Sequence, residues 1–89
     1  MIYLASPYTA RKGDGSLDLS LMEERYLLVE EALAACVRRK THALSPIVLF
    51  HSLAIKHALP PHASFWRAHN RALLQRCDAM YVLCIPGWD

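Results

Sequence analysis

The chain has 89 residues, of which 54% are hydrophobic, and carries a formal net charge of +2 with its histidines neutral. That length predicts one small domain over residues 1–89, and the hydrophobic fraction is too high for a disordered chain. Apart from Arg38, Arg39 and Lys40 the basic residues are scattered, so we expect no binding to a nucleic acid polymer. No apolar run approaches the ~20 residues of a membrane span, and no basic segment opens the chain. The sequence therefore predicts a cytoplasmic protein without membrane contacts.

The cysteines and histidines show no spacing typical of a metal site. Cys36, Cys77 and Cys84 occur without a CxxC pair, and their odd number predicts free thiols in a reducing compartment. The five histidines have no ligand spacing to the cysteines, so we expect no bound metal. The sequence also lacks GxGxxG, the P-loop motif, HExxH and GxSxG. The absence of these motifs counts against a Rossmann dinucleotide site, a P-loop nucleotide site, a zinc protease site and an α/β-hydrolase site. We therefore expect no cofactor.

Residues 1–5 form a short apolar run that ends at Ser6 and Pro7. A run of this kind before a long helical pattern is typical of the central strand of a parallel α/β sheet. The loop that begins at Ser6 therefore lies at the carboxyl end of the first strand. Open α/β sheets bind their ligands at that edge.

A polar segment and an amphipathic helix follow. Residues 9–20 contain two of the three glycines and predict a flexible loop. Ser20 and Glu23 have the spacing of a capping box, which satisfies two amide donors where a helix begins. They predict a helix over residues 20–39. Its apolar face repeats at helical spacing through Met22, Tyr26, Val29, Leu33 and Cys36.

The second half of the chain predicts one strand, two helices and another strand. Ser45 and Pro46 form an N-cap followed by a proline at the first helical position. Ser64 is a second candidate N-cap. The predicted elements are a strand over residues 42–45, a helix over 47–58, a helix over 65–75 and a strand over 79–85.

The order β-α-β-α-α-β predicts a three-layer α/β fold with a flavodoxin-like parallel sheet. Right-handed crossovers place the first strand between the other two, in the order 2-1-3. Three loops then meet at the carboxyl edge of the sheet: residues 6–11, 45–47 and 86–89. The apolar third strand becomes an uncovered edge, and because such edges invite pairing with another chain, we expect a homo-oligomer.

The loop after the first strand carries groups suited to a small polar ligand. Ser6 and Tyr8 offer hydroxyls and Arg11 offers a guanidinium, a combination suited to a sugar hydroxyl or a phosphate. The same residues equally fit a turn with solvated polar groups. His51, one turn into the second predicted helix, could hydrogen-bond a ligand or be a satisfied core or surface histidine.

Two tryptophans and two aspartates are further candidates. Trp66 and Trp88 could stack on a base, although the pattern around Trp66 favours a core aromatic position. Asp89 follows the third strand and lies at the ligand edge. Asp78 precedes that strand, whose predicted length separates it from the ligand edge by roughly 20 Å. This separation favours structural support over direct contact with a substrate.

Several short segments, in this order and spacing, resemble a family of short bacterial and phage proteins of unassigned function. That family is similar to a branch of the nucleoside 2-deoxyribosyltransferase superfamily. The resemblance covers almost the whole chain. The segments that carry it are Ile2-Tyr-Leu-Ala-Ser-Pro-Tyr8, Arg25-Tyr26, Ser45-Pro-Ile47 with His51, Phe65-Trp66, Leu74 with Cys77-Asp78, and Gly87-Trp88.

The resemblance implies a doubly wound parallel sheet and a nucleoside or nucleotide as the small-molecule partner. Enzymes of that superfamily cleave or exchange the N-glycosidic bond with a glutamate nucleophile, because the developing oxocarbenium ion needs negative charge nearby. The resemblance also implies that Ser6, Pro7 and Tyr8 lie on the sugar side of the ligand, and it makes Asp78 the one candidate catalytic residue. The expected substrate-binding residues are Ser6, Pro7, Tyr8, Arg11, Ser45, His51, Trp88 and Asp89.

The sequence departs from the superfamily pattern at three places. It stops at Asp89, before the helix that carries the nucleophile in relatives, so we expect a shortened or truncated domain that is inactive as this chain. Asn70 stands where relatives often have an aspartate, and the usual glycine is missing near Lys40 and Thr41. The alternatives are a non-catalytic module that binds nucleotides or sugar phosphates, or a structural domain completed by a partner.

Overall fold

A computed structural model describes residues 1–60 and 63–88. All six predicted elements are present in their predicted order, which establishes the β-α-β-α-α-β chain path. Their bounds are β1 (Ile2–Ala5), α1 (Leu19–Arg38), β2 (Ala43–Leu44), α2 (Pro46–Lys56), α3 (Ala63–Leu74) and β3 (Ala79–Val82).

The three strands form one parallel sheet in the order β2-β1-β3. Tyr3 pairs with Leu44 on one side and with Met80 on the other, and the ladder with β3 ends where Ala5 pairs with Val82. β3 is shorter than predicted because its partner strand β1 ends at Ala5, so later residues of the third strand have nothing to pair with. The open sheet with its three helices confirms the predicted small α/β fold of flavodoxin-like type.

α1 begins earlier than the predicted capping box. The Asp18 carboxylate accepts a hydrogen bond from the Leu21 amide at 3.0 Å, so Asp18 is the N-cap and Ser20 already lies within the helix. The capping-box prediction is therefore wrong, and Glu23 is released for another contact. α3 likewise begins at Ala63, which places the predicted cap Ser64 inside the helix.

Both α1 and α2 end in a left-handed residue that is not glycine. Lys40 has φ 60°, and the amides of Lys40 and Thr41 donate to the carbonyls of Val37 and Cys36. This pair of bonds is a Schellman motif, which normally favours glycine at the left-handed position. Ala58, with φ 51°, closes α2 in the same way. The missing glycine is therefore a capping difference that leaves the helix end intact.

The core includes residues of β1 and of the apolar face of α1. Leu4, Met22 and Val29 are buried there, and α1 also packs on α2. β3 is different, because all four of its residues are exposed. The chain exposes 6151 Å², against the roughly 5,300 Å² usual for a compact protein of its mass. The uncovered β3 contributes to that excess.

The segment between β1 and α1 is a closed hairpin where a flexible loop was predicted. Arg11 and Leu17 form an antiparallel bridge, and the Lys12 amide donates to the Ser16 carbonyl at 2.8 Å. The Asp14 carboxylate accepts from the amide and hydroxyl of Ser16. These bonds close residues 11–17 into a turn.

None of the helices in residues 1–60 and 63–88 is long and apolar enough to cross a membrane.

Candidate functional site

A cavity of about 270 Å³ opens at the carboxyl end of β1. It lies between the loop that follows β1 and two helices, α2 and α3. Its described lining comprises Tyr3, Leu4, Ala5, Ser6, Tyr8, Thr9, Pro46, Ile47, Phe50, His51, Ala54, Ala63, Trp66 and Asn70. The predicted ligand edge of the sheet therefore contains a concave site.

One side of this cavity is aromatic. The rings of Phe50 and Trp66 stack with centroids 5.2 Å apart and an interplanar angle of 18°, and His69 meets Phe50 edge to face at 4.7 Å. Trp66 donates its indole N–H to the Pro60 carbonyl at 2.8 Å. Because this bond satisfies its polar atom, Trp66 offers the cavity an apolar surface.

A chain of three hydrogen-bonded side chains forms the polar side. The Tyr8 hydroxyl lies 2.6 Å from His51 Nδ1, and His51 Nε2 lies 2.6 Å from the Glu23 carboxylate. Tyr26 stacks on the His51 ring with centroids 4.1 Å apart. His51 is therefore buried with both nitrogens and one face occupied. It can hold Tyr8 in place, but it has no nitrogen left for a ligand.

The electrostatics keep Tyr8 protonated. Burial, and then the nearby negative charge of Glu23, raise the pKa of Tyr8 above its ordinary value. The pKa of Tyr26 is also raised, first by its hydrogen bond to Glu30 and then by burial. Both hydroxyls therefore remain hydrogen-bond donors at neutral pH.

Arg25 joins two of the loops at this edge. Its guanidinium donates to the Thr9 carbonyl at 3.0 Å and to the Tyr8 carbonyl at 3.4 Å. It also lies against Gly87, where a Cβ atom would clash with Arg25 Nη2. Gly87 has φ +99° as well, so a residue without a side chain suits this turn for two reasons. Arg25 therefore bonds the loop after β1 and lies against the turn after β3.

Two buried polar atoms in the cavity lining lack partners. Ser6 Oγ and Asn70 Oδ1 have no hydrogen-bond partner among the residues that the structure describes. A buried polar group left unpaired costs about 1–3 kcal/mol. A ligand that offers these atoms hydrogen bonds would recover part of that cost.

The structure brings together three of the predicted site residues. Ser6, Tyr8 and His51 all line the cavity. Ser45 is fully buried and its hydroxyl accepts from the Val48 amide at 3.2 Å, which makes it the predicted N-cap of α2. Neither Ser45 nor Pro7 is part of the described lining.

Three further predicted residues, Arg11, Trp88 and Asp78, are not part of the described lining of the cavity. Arg11 donates to the Gly15 carbonyl at 3.0 Å and stays in its hairpin. Trp88 is 53% exposed and does not line the cavity. Asp89 falls outside the described residues. Asp78 accepts a 2.7 Å hydrogen bond from the amino terminus of Met1 at the opposite edge of the sheet.

Sequence reasoning missed several residues of the site. It assigned Glu23 to a cap, whereas Glu23 on α1 reaches His51. It named Arg25 only for its resemblance and left Phe50 out. The position of Asp18, one turn before Met22, is the signal that could have shown α1 beginning earlier and Glu23 free.

Among the described residues, no three side chains of histidine, cysteine, aspartate or glutamate form a group that could hold a metal ion. Cys36, Cys77 and Cys84 are free thiols, as predicted.

Comparisons with known proteins identify one family. No curated protein and no solved structure matches the sequence. The model of a domain of unknown function, DUF1937, matches residues 1–89, which is the whole chain given. The chain therefore belongs to the DUF1937 family.

Proposed function

We propose that this domain binds a nucleoside or nucleotide in the carboxyl-edge cavity, as part of an N-glycosidic bond hydrolase or a deoxyribosyltransferase-like protein. The observation that carries the proposal is the composition of one cavity, in which an aromatic pair and hydroxyl groups stand together. A nucleoside has the same two parts, a flat base and a hydroxylated sugar. The resemblance of the β1 loop to nucleoside 2-deoxyribosyltransferases supports the same ligand.

The size of the cavity supports a small ligand. Its volume of about 270 Å³ is close to the lower end of the ~300–1,000 Å³ typical of small-molecule pockets. Phe50 and Trp66 offer a surface for a base, and Ser6 and Asn70 offer polar atoms without described partners. A polymer would need a longer groove.

Cleavage of an N-glycosidic bond would need more than binding. Positive charge develops at the anomeric carbon, and a carboxylate placed beside it stabilises that charge. Glu23 is connected to the cavity through His51 but does not itself line it. The described lining contains no aspartate or glutamate, and this observation favours the second candidate, a nucleoside-binding module without catalysis.

Two measurements on the same protein separate these candidates. Calorimetric titration with the four 2′-deoxynucleosides and their 5′-monophosphates tests binding, and chromatography of the same mixtures tests release of free base. Binding with base release supports the glycosidase, and binding without release supports the module. No binding to any of the eight compounds contradicts both.

A further inference from the structure

The hydrogen bonds of His51 determine which of its two ring nitrogens carries a hydrogen. His51 Nε2 lies 2.6 Å from a carboxylate oxygen of Glu23, and because a carboxylate oxygen accepts, Nε2 carries the hydrogen of this bond. A neutral ring then has Nδ1 free of hydrogen, and Nδ1 accepts from the Tyr8 hydroxyl at 2.6 Å. Glu23 therefore sets the tautomer of His51, and His51 sets the orientation of the Tyr8 proton.

The consequence for the cavity is a fixed polarity at Tyr8. A tyrosine hydroxyl has one hydrogen, and His51 receives it. The remaining capacity of the Tyr8 oxygen is to accept a hydrogen bond. The Asn70 side-chain oxygen, buried and without a described partner, is an acceptor of the same kind. A ligand that donates hydrogen bonds, such as a sugar with hydroxyl groups, complements both atoms.

Arg11 and Arg25 do not line the cavity, although Arg25 Nε is buried without a hydrogen-bond partner among the described residues. No lysine or arginine occurs in the described lining of the cavity. Arg11 donates to Gly15, and Arg25 donates to the carbonyls of Tyr8 and Thr9. A phosphate presents acceptor oxygens and negative charge, and burial of an unpaired charge is costly.

We propose that Glu23 and His51 hold Tyr8 as a hydrogen-bond acceptor for a sugar hydroxyl, so that the cavity takes an uncharged nucleoside in preference to its monophosphate. This inference rests on the proposed function and specifies its substrate class. Glu23 and His51 are positioning residues, and Tyr8 is the residue that contacts the ligand.

The test compares ligands that differ by one group. Each 2′-deoxynucleoside that binds is compared by calorimetry with its 5′-monophosphate and with analogues that lack the 3′- or the 5′-hydroxyl. The titrations are made at pH 8, above the ordinary histidine pKa of about 6.5. We expect the monophosphate to bind more weakly than the nucleoside, and one of the two deoxy analogues to lose roughly threefold to tenfold in affinity, the usual size of one hydrogen bond.

Two tyrosine variants identify the residue responsible. Tyr8→Phe removes the proposed acceptor and should bring the nucleoside and the weaker analogue to equal affinity. Tyr26→Phe is the matched control, because it keeps the ring that stacks on His51 and removes a hydroxyl that bonds Glu30. It should retain the difference between the two ligands. Thermal unfolding of both variants checks that they fold.

The outcomes distinguish this inference from the proposed function. If a monophosphate binds as tightly as its nucleoside, or if the analogue difference survives unchanged in Tyr8→Phe, the inference is overturned while the nucleoside site stands. If no nucleoside and no monophosphate binds the wild-type protein, the proposed function fails and this inference falls with it.

Discussion

Replacement of Gly87 by alanine tests how the loops around the cavity are held together. The change places a Cβ at a residue with φ +99°, where it clashes with Arg25 Nη2. A left-handed conformation costs an L-residue about 1–2 kcal/mol. Arg25 must also move, and the loss of one net hydrogen bond to the Tyr8 and Thr9 carbonyls adds about 1 kcal/mol. We expect Gly87→Ala to lower the free energy of unfolding by about 2–3 kcal/mol.

Urea denaturation measures this loss directly, and thermal unfolding should show it as a decrease in Tm of about 10–20 °C for a domain of this size. Gly15→Ala is the matched control, because Gly15 has φ +87° and no atom lies within 4 Å of the place that its Cβ would occupy. Gly15→Ala should therefore lower the free energy of unfolding only by the cost of the left-handed conformation. The difference between the two variants, about 1 kcal/mol, is the contribution of the Arg25 contact.

The Arg25→Ala background completes the experiment. Without the guanidinium, Gly87→Ala and Gly15→Ala should cost the same. Equal losses in the wild-type background, or an undiminished difference in the Arg25→Ala background, would refute the role given to this contact.

Four further predictions concern the helix end, the amino edge of the sheet, β3 and the thiols. Lys40→Gly should raise the free energy of unfolding by about 0.5–1 kcal/mol, because glycine tolerates φ 60°; a loss in urea denaturation would contradict this. The hydrogen bond between Met1 and Asp78 raises the pKa of the amine and lowers the pKa of the carboxyl. The pair therefore stabilises the fold between about pH 4 and pH 8. This stabilisation is lost at lower pH, where the carboxyl is protonated, and at higher pH, where the amine is deprotonated. In an NMR titration Asp78→Asn should return the amine pKa to its ordinary value, and an unchanged amine pKa would count against the pair. Tyr81 is 57% exposed on β3, so we expect the wild-type protein to sediment as an oligomer at micromolar concentration and Tyr81→Lys to sediment as a monomer; a wild-type monomer would argue against association through β3. Cys84, the exposed cysteine, should react first with a thiol reagent in the native protein, and three thiols should titrate after denaturation without reductant. Equal reaction rates for the three cysteines in the native protein, or a count of one thiol after denaturation, would contradict this.

Local signals in the sequence were sufficient for the fold. The apolar run before Ser6 predicted β1, and the pair Ser45 and Pro46 predicted where α2 begins, because each signal acts through neighbouring residues. The strand order 2-1-3 followed from the handedness of crossovers. The lengths of β2 and β3 were overestimated because they depend on how far the partner strand extends, and no local signal contains that information.

The site was only partly predictable because its contacts join distant residues. Glu23 and His51 are 28 positions apart, and Tyr8 and His51 are 43 apart. Ser20 offered Glu23 a local partner that fitted equally well, so the capping box concealed the long-range bond. Tyr8 and His51 were each named as candidates, but their contact depends on how α2 packs beside the loop after β1.

The central claim is that a nucleoside binds in the cavity at the carboxyl edge of the sheet. Amide chemical-shift mapping of the labelled protein with 2′-deoxynucleosides tests it most directly. We expect the largest shifts on the amides of Ser6, Tyr8, His51, Trp66 and Asn70, and no shifts on those of Asp78 and Ala79 at the opposite edge. Shifts confined to that opposite edge, or no shifts at millimolar nucleoside, would contradict it.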